Sequence, residues 1–266
     1  MIKLLGIPFD ANSSFLGGCA LAPAGIRFIH TQDASNASTE NKKTLEIGVN
    51  LLDQGDIFFP SDDSAAAHKL IVDITQRHLS DGSKLISLGG DHSITYPIIE
   101  AYKRFYPELH ILHFDAHADI YDNFQDNYYS HASPFARILE NNLATSLTQV
   151  GIRTVTNHQR EQIKKYRVQV VEMKEFTLDF IHDLSGPLYI SFDLDVLDPA
   201  LMPAVASPVS DGLPPETVMA GIESIAAASR VHALGITGFD PDRDEDNLGL
   251  GISMQVIEAA IRILAV

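Results

Sequence analysis

Two aspartates and a histidine alternate with alanines in the segment DAHAD, which directly follows the apolar run ILHF. The spacing of two residues places Asp115, His117 and Asp119 on one face of an extended chain, and the small alanines lie on the other. A solvated acidic turn would not need a histidine, whereas imidazole and carboxylate together are a common metal-ligand set. We therefore predict that these three side chains converge on a metal site.

A second pair of aspartates, Asp193 and Asp195, follows the apolar run LYISF with the same spacing. Leu194 between them is predicted to point away from their side chains. Burying the two carboxylates without a cation would cost on the order of several kcal/mol for each charge. This pair therefore also indicates a bound metal.

A histidine, His92, follows a third apolar run, in which Gly89 and Gly90 allow the chain to turn sharply. Taken alone, His92 is as compatible with a hydrogen-bonded structural turn as with a metal ligand. It becomes a candidate because all three segments follow predicted strands.

The charges of the candidate ligands decide how many ions they can hold. The set comprises four carboxylates and two neutral imidazoles: Asp115, Asp119, Asp193 and Asp195, with His92 and His117. Two divalent cations balance the four negative charges, whereas a single zinc ion would have too many carboxylates. Ligands of this kind favour two Mn²⁺ ions, with iron, cobalt or nickel as alternatives, and disfavour Mg²⁺ because it binds histidine poorly. A two-metal site activates water as a nucleophile, so we predict a hydrolase.

The rest of the chain alternates short β-rich runs with longer helical patterns. The predicted strands are Lys3–Ile7, Lys84–Leu88, His110–Phe114, Leu147–Ile152, Val168–Val171, Leu188–Phe192 and Val231–Ile236. The predicted helices are Ser64–Leu79, Thr95–Phe105, Pro134–Asn141, Asn157–Tyr166, Pro214–Ala228 and Ser253–Leu264, with Asn157 as an N-cap. This alternation predicts an α/β fold with a mainly parallel sheet and helices on both faces. Ligands bind such sheets at the carboxyl ends of the strands, where the three motifs fall.

Composition sets the remaining expectations. A chain of 266 residues, 45% of them hydrophobic, is predicted to form a single domain over residues 1–266, with a surface loop at Thr31–Lys43. Its net charge of -16 and lack of a basic patch argue against nucleic-acid and membrane partners and favour a cationic or neutral small molecule. The single cysteine, Cys19, excludes an internal disulfide. We expect a cytoplasmic protein, because no signal peptide or membrane span is evident.

The motifs GGDHS, DAHAD and SFDLDVLDP, in this order and spacing, resemble the signature motifs of the ureohydrolases, which include arginase, agmatinase and formiminoglutamase. The stretch DAHADIYDNFQDNYYSHASPFARILENN is most similar to the plant-type arginases, a branch related to agmatinases. The resemblance implies a three-layer α/β/α sandwich with a sheet of about eight strands. It also implies a homo-oligomer, either a trimer or a hexamer.

The resemblance further assigns the ligands and the reaction. One ion would be held by His92, Asp115, Asp119 and Asp193, and the other by Asp115, His117, Asp193 and Asp195, so that Asp115 and Asp193 bridge. The reaction implied is attack of hydroxide on the central carbon of a guanidino or amidino compound, with release of urea. Asp119 would pass a proton to the leaving nitrogen, and His131, in YYSHASPF, would assist its exchange with solvent.

One late motif departs from the family pattern. In arginases and agmatinases a late strand ends in a pattern like D-V-V-E-F-N-P, whose glutamate pairs with the guanidinium of the substrate. This chain has GITGFDP at the same place. Gly238 takes the place of that glutamate, so Gly238 and Asp240 lie at the position expected for substrate binding, and we predict that Gly238→Glu increases activity on arginine or agmatine. The alternatives that this change leaves open are a hydrolase for a formimino compound or small guanidine, and a weakly catalytic metal-binding partner subunit.

Overall fold

The computed structural model describes residues 1–31, 51–228 and 230–265, and in this part of the chain eight strands form one parallel sheet. The strands are β1 Ile2–Ile7, β2 Leu51–Asp56, β3 Lys84–Gly89, β4 His110–Phe114, β5 Ser146–Ile152, β6 Gln169–Glu172, β7 Pro187–Asp193 and β8 Arg230–Thr237. Their order across the sheet is β2-β1-β3-β8-β7-β4-β5-β6. Because β8 lies between β3 and β7, the end of β8 is next to the ends of the two strands that carry His92 and Asp193.

Seven α-helices cover the sheet in the same part of the chain. They are α1 Ala22–Thr31, α2 Ser64–Leu79, α3 Thr95–Lys103, α4 Pro134–Glu140, α5 Asn157–Tyr166, α6 Pro215–Ala228 and α7 Leu248–Leu264. Apolar residues of α1, α6 and α7 pack in one core with Leu112 and Ile190 of the sheet. Residues of α2, α3, α4 and α5 pack in a second core with the adjacent Ile111 and Tyr189, because successive strand residues point to opposite faces. The expected three-layer α/β/α sandwich is thus confirmed.

The strand predictions missed β2, at the edge of the sheet. Its sequence LLDQGD begins with two leucines, of which only Leu51 is buried, and the next four residues face partly or fully outward. An edge strand needs little apolar surface, so its sequence carries no strand periodicity. Most of the predicted loop Thr31–Lys43 lies outside the described residues, and Thr31 itself ends α1.

Helix ends differed from prediction where glycine or proline obscured the pattern. The prediction missed α1, because Pro23 and Gly25 are residues that usually interrupt helices. Pro23 lies in the first turn of α1, where a helix tolerates proline. Helix α7 begins five residues before the predicted Ser253, and the carboxylate of Asp244 accepts hydrogen bonds from two of its first N–H groups. The N-cap of α5 is Thr156 rather than the predicted Asn157.

No helix in the described part of the chain has both the length and the apolar character needed to cross a bilayer.

Candidate metal centre

The six predicted ligands meet at the carboxyl ends of three strands. His92 follows β3, the DAHAD segment follows β4, and Asp193 is the last residue of β7. All six line one cavity of about 240 Å³, which is also lined by His131 and Gly238. The structure therefore brings together the side chains that the sequence placed at three separate strand ends.

The ligand atoms divide into two groups around the two histidines. Nδ1 of His92 lies 3.1 Å from Oδ2 of Asp115, 3.0 Å from Oδ2 of Asp119 and 3.4 Å from Oδ2 of Asp193. Nδ1 of His117 lies 3.3 Å from the other oxygen of Asp115, Oδ1, and 2.9 Å from Oδ2 of Asp195. Asp115 thus faces both groups, one oxygen to each.

The convergence was predicted correctly, but its backbone cause differs from the prediction. The strand ends at Phe114, and Asp119 turns back towards the cavity because its backbone is left-handed, with φ of 44°. Asp193 and Asp195 likewise share a turn, in which Oδ1 of Asp193 accepts the backbone N–H of Asp195 at 3.0 Å. Leu194 points into the core, as expected.

Burial makes this carboxylate cluster unfavourable without a cation. Burial, followed by repulsion from Asp195 and Asp115, raises the pKa of Asp193 well above its usual range. Burial and then Asp115 raise the pKa of Asp195 to about 6. Burial opposes a charge on the histidines, but the facing carboxylates outweigh it, so the pKa of His92 is well above its usual value and that of His117 is about 12. The cluster therefore favours positive charge at this position.

One buried atom supports a metal ion directly. Nδ1 of His92 is buried and has no hydrogen-bond partner, although three carboxylate oxygens lie within 3.4 Å of it. The other ring nitrogen of His92 is held by Ser191, whose Oγ lies 2.9 Å from Nε2. A lone pair on Nδ1 would complete an oxygen-rich ligand set, so the residues present fit a divalent transition-metal ion.

His131 lies on the loop before α4 and lines the cavity. Its Nε2 is 2.8 Å from the hydroxyl of Ser14, and its backbone N–H donates to the carbonyl of Asn12 at 3.3 Å. Asn12 is itself buried and binds the hydroxyls of Ser93 and Ser64. The loop that carries Ser14 is therefore anchored to the same end of the sheet as the ligands.

Gly238 lines the cavity but has no room for a side chain. Its φ is 83°, and a Cβ there would overlap Oδ1 of Asp193. The hydroxyl of the preceding Thr237 donates to Oδ2 of Asp193 at 3.1 Å, so this carboxylate is fixed. A glutamate at this position would have to adopt this left-handed φ and displace Asp193, which argues against the predicted gain from Gly238→Glu.

Asp240 is buried but engaged away from the cavity. Its carboxylate accepts from Nε of Arg243 at 2.9 Å and from the N–H of Asp242 at 3.1 Å, and it faces Gly18. These contacts stabilise a turn, so Asp240 is not available to replace the absent glutamate.

Three polar residues around the site were missed from the sequence. His113 lies 2.8 Å from Asp115, Gln149 contacts His113, and the guanidinium of Arg153 donates to the backbone carbonyl of Asp195 at 2.6 Å. Only His113 had a usable signal, since it precedes Asp115 by two residues and therefore shares its face of the strand.

Comparison with known proteins identifies relatives over nearly the whole chain. The model of a family described as the arginase family matches residues 1–264. A mitochondrial arginase of Medicago truncatula is 35% identical over 277 residues, which cover 99% of this chain and 80% of that protein. An N(1)-aminopropylagmatine ureohydrolase of Thermus thermophilus is 31% identical, with 91% and 83% covered. The solved structure of the Medicago truncatula arginase superposes with a TM-score of 0.89, at 33% identity, and the match covers 99% of this chain and 87% of that one.

Proposed function

Because this chain belongs to the arginase family and is a hydrolase that acts on amidino carbon–nitrogen bonds, we propose that it is a two-metal ureohydrolase. Its reaction is cleavage of a linear guanidino or amidino compound with release of urea. The observation that carries this proposal is the position of Asp115, whose two oxygens face the ring nitrogens of His92 and His117 separately.

We assign four ligands to each ion, with two residues shared. His92, Asp115, Asp119 and Asp193 would hold one ion, and Asp115, His117, Asp193 and Asp195 would hold the other. The distances from Nδ1 of His92 and His117 support each of these assignments except that of Asp193 to the second ion, because Asp193 is close to His92 only. Mn²⁺ fits the four carboxylates and two imidazoles best, with nickel, cobalt or iron as alternatives.

Two divalent cations, when bound, lower the pKa of water so that hydroxide forms near neutral pH. The side chains of the protein then transfer the protons. Asp119 lies closest to His92 in the set and accepts a proton that it passes to the leaving nitrogen. His131, hydrogen-bonded to Ser14 on the cavity wall, exchanges that proton with solvent.

The cavity wall favours a substrate without a carboxylate tail. Phe15, Tyr121 and Phe124 line it, and the described residues that line it include no lysine or arginine. A substrate carboxylate would therefore lack a charged partner, whereas an apolar or cationic tail fits an acidic chain. We expect agmatine and alkylguanidines to react faster than arginine.

The test is release of urea from guanidino compounds, and of ammonia or formamide from formimino compounds, after loading with Mn²⁺, together with metal analysis. We expect two ions per chain. Asp115→Asn and Asp193→Asn should weaken both ions together, whereas His92→Ala and His117→Ala should mainly weaken one. His110→Ala is the matched control, because His110 is the first residue of β4 and its Nδ1 lies 2.8 Å from the hydroxyl of Ser146, away from the ligands. Two bound ions with no product from any compound would contradict the hydrolase assignment and favour a metal-binding subunit.

We further propose a single cytoplasmic domain over residues 1–266 that assembles as a homo-oligomer, a trimer or a hexamer. The free cysteine Cys19 supports a reducing compartment. Light scattering coupled to gel filtration measures the mass, and a monomer would contradict this proposal.

A further inference from the structure

His113 is a buried histidine that lies behind Asp115. Its Nε2 is 2.8 Å from Oδ2 of Asp115, and its side chain is 0% exposed. It is not among the described residues that line the cavity, so it lies behind Asp115 rather than in the cavity wall. Its contact is with a carboxylate that faces both halves of the site.

Gln149 determines which ring nitrogen of His113 carries the proton. It lies directly opposite His113 in the register of β4 and β5. The side-chain nitrogen of Gln149 donates to the carbonyl of Ala118 at 2.6 Å, so its amide group cannot be turned the other way without placing two oxygens together. The same nitrogen lies 3.0 Å from Nδ1 of His113. Nδ1 therefore accepts a hydrogen bond, and the ring proton is on Nε2, which donates to Asp115.

The ring is also held in place by packing. The ring of Phe135 contacts it with centroids 4.0 Å apart, and the ring of His92 lies edge-on at 4.9 Å. Gln149 keeps this arrangement although its own Oε1 is buried without a partner.

The donors to Asp115 leave each of its oxygens free to bind an ion. Oδ2 accepts from His113, and Oδ1 accepts from the backbone N–H of His117 at 2.6 Å. One lone pair on each oxygen is used in this way, and the other remains. We infer that His113, held in one tautomer by Gln149, is a positioning residue that orients Asp115 to bridge two metal ions; this inference rests on the proposed two-ion site.

Four variants test the inference through metal binding. His113→Phe removes the donor, His113→Gln restores an N–H at a similar distance, and Gln149→Met removes the contact that selects the tautomer. Gln162→Met is the matched control, because Gln162 is also buried with an unpartnered Oε1 but lies on α5. Each variant is first checked for a native circular dichroism spectrum.

Calorimetry measures Mn²⁺ affinity, and electron paramagnetic resonance detects magnetic coupling between two neighbouring Mn²⁺ ions. We expect His113→Phe and Gln149→Met to bind Mn²⁺ about tenfold to a hundredfold more weakly and to lose the coupled spectrum. His113→Gln and Gln162→Met should retain both properties. Nitrogen-15 spectra of the metal-free wild-type chain, with His113 assigned from His113→Gln, should place the proton on Nε2.

Normal two-ion binding by His113→Phe would overturn the inference and leave the proposed function intact. Equal losses in His113→Gln and His113→Phe would also overturn it, because the imidazole would then be a metal ligand itself. A proton on Nδ1 would overturn the role of Gln149. A wild-type chain that binds fewer than two Mn²⁺ ions would contradict the proposed function and this inference with it.

Discussion

Gly238 and Asp193 lie so close, at the ends of the neighbouring strands β8 and β7, that a Cβ on Gly238 would overlap a carboxylate oxygen of Asp193. Position 238 is thus not a vacant site for a substrate-binding glutamate. The glycine leaves space for Asp193 in the position that faces His92.

Gly238→Ala tests this relationship, with Gly251→Ala as the matched control. The alanine must adopt a φ of 83°, and its methyl group must displace Asp193. We therefore expect a loss of about 1 to 3 kcal/mol in the free energy of unfolding and weaker Mn²⁺ binding. Gly251 lies in α7 with nothing within 4 Å of its Cβ position, so alanine there should be neutral or stabilising by up to about 1 kcal/mol. Denaturant unfolding and calorimetry measure both effects. Equal results for the two variants, or a gain in arginine hydrolysis by Gly238→Glu, would contradict this explanation.

His131→Asn should affect turnover and leave metal binding intact. His131 contacts Ser14 rather than the carboxylate cluster, and general acid–base groups contribute about 10²-fold to 10⁴-fold to a rate. We expect kcat to fall within that range at unchanged metal content. Ser14→Ala removes only the partner of the ring and should reduce kcat less. A metal-loaded His131→Asn enzyme with the kcat of the wild type would exclude the proposed proton-exchange role.

Metal uptake should release protons. In the metal-free chain burial opposes a charge on the two histidines, but the facing carboxylates raise the pKa of His92 well above its usual value and that of His117 to about 12, so both rings are cationic at pH 7. Protonation of these rings stabilises the metal-free fold fully below about pH 6.5, the unfolded value, and this contribution is lost as pH rises through the folded values.

The ring nitrogens and the carboxylates with raised pKa values must lose their protons before they can bind an ion, so we expect protons to be released and apparent Mn²⁺ affinity to rise with pH. Calorimetry in two buffers of equal pH but different ionisation enthalpy counts the protons. Identical heats in the two buffers would show that metal uptake releases no protons, which would contradict cationic rings in the metal-free chain.

Arg153→Lys should loosen the strand end that carries Asp195. The guanidinium donates to the backbone carbonyls of Gly151, Asp195, Val196, Leu197, Val209 and Ser210. Lysine cannot reproduce this planar set of donors. We therefore expect a loss of about 2 kcal/mol in the free energy of unfolding and weaker binding of the ion assigned to His117 and Asp195.

Arg104→Lys is the control for the Arg153 variant. Arg104 is exposed and donates to Gln76, so its replacement should change stability by no more than about 0.5 kcal/mol. Comparable losses for the two variants would mean that the carbonyl contacts of Arg153 contribute little.

The sequence by itself determined the fold class, the two helices Ser64–Leu79 and Asn157–Tyr166 at both ends, and the six candidate ligands. Apolar periodicity is a local property, and parallel strands gather their carboxyl ends at one edge, so motifs that follow strands must meet there. The charges of Asp115, Asp119, Asp193 and Asp195 were also sufficient to predict a cation.

Only the tertiary structure decided what surrounds those ligands. The contact between Gly238 and Asp193 depends on β8 lying beside β7, and the pairing of Gln149 with His113 depends on the register of β5 against β4. Both relations join residues 36 or more positions apart in the chain, and neither leaves a periodic pattern in the sequence around it. Strand order and register are set by the packing of two cores on the sheet, so the size of the space at Gly238 and the tautomer of His113 follow from the folded structure alone.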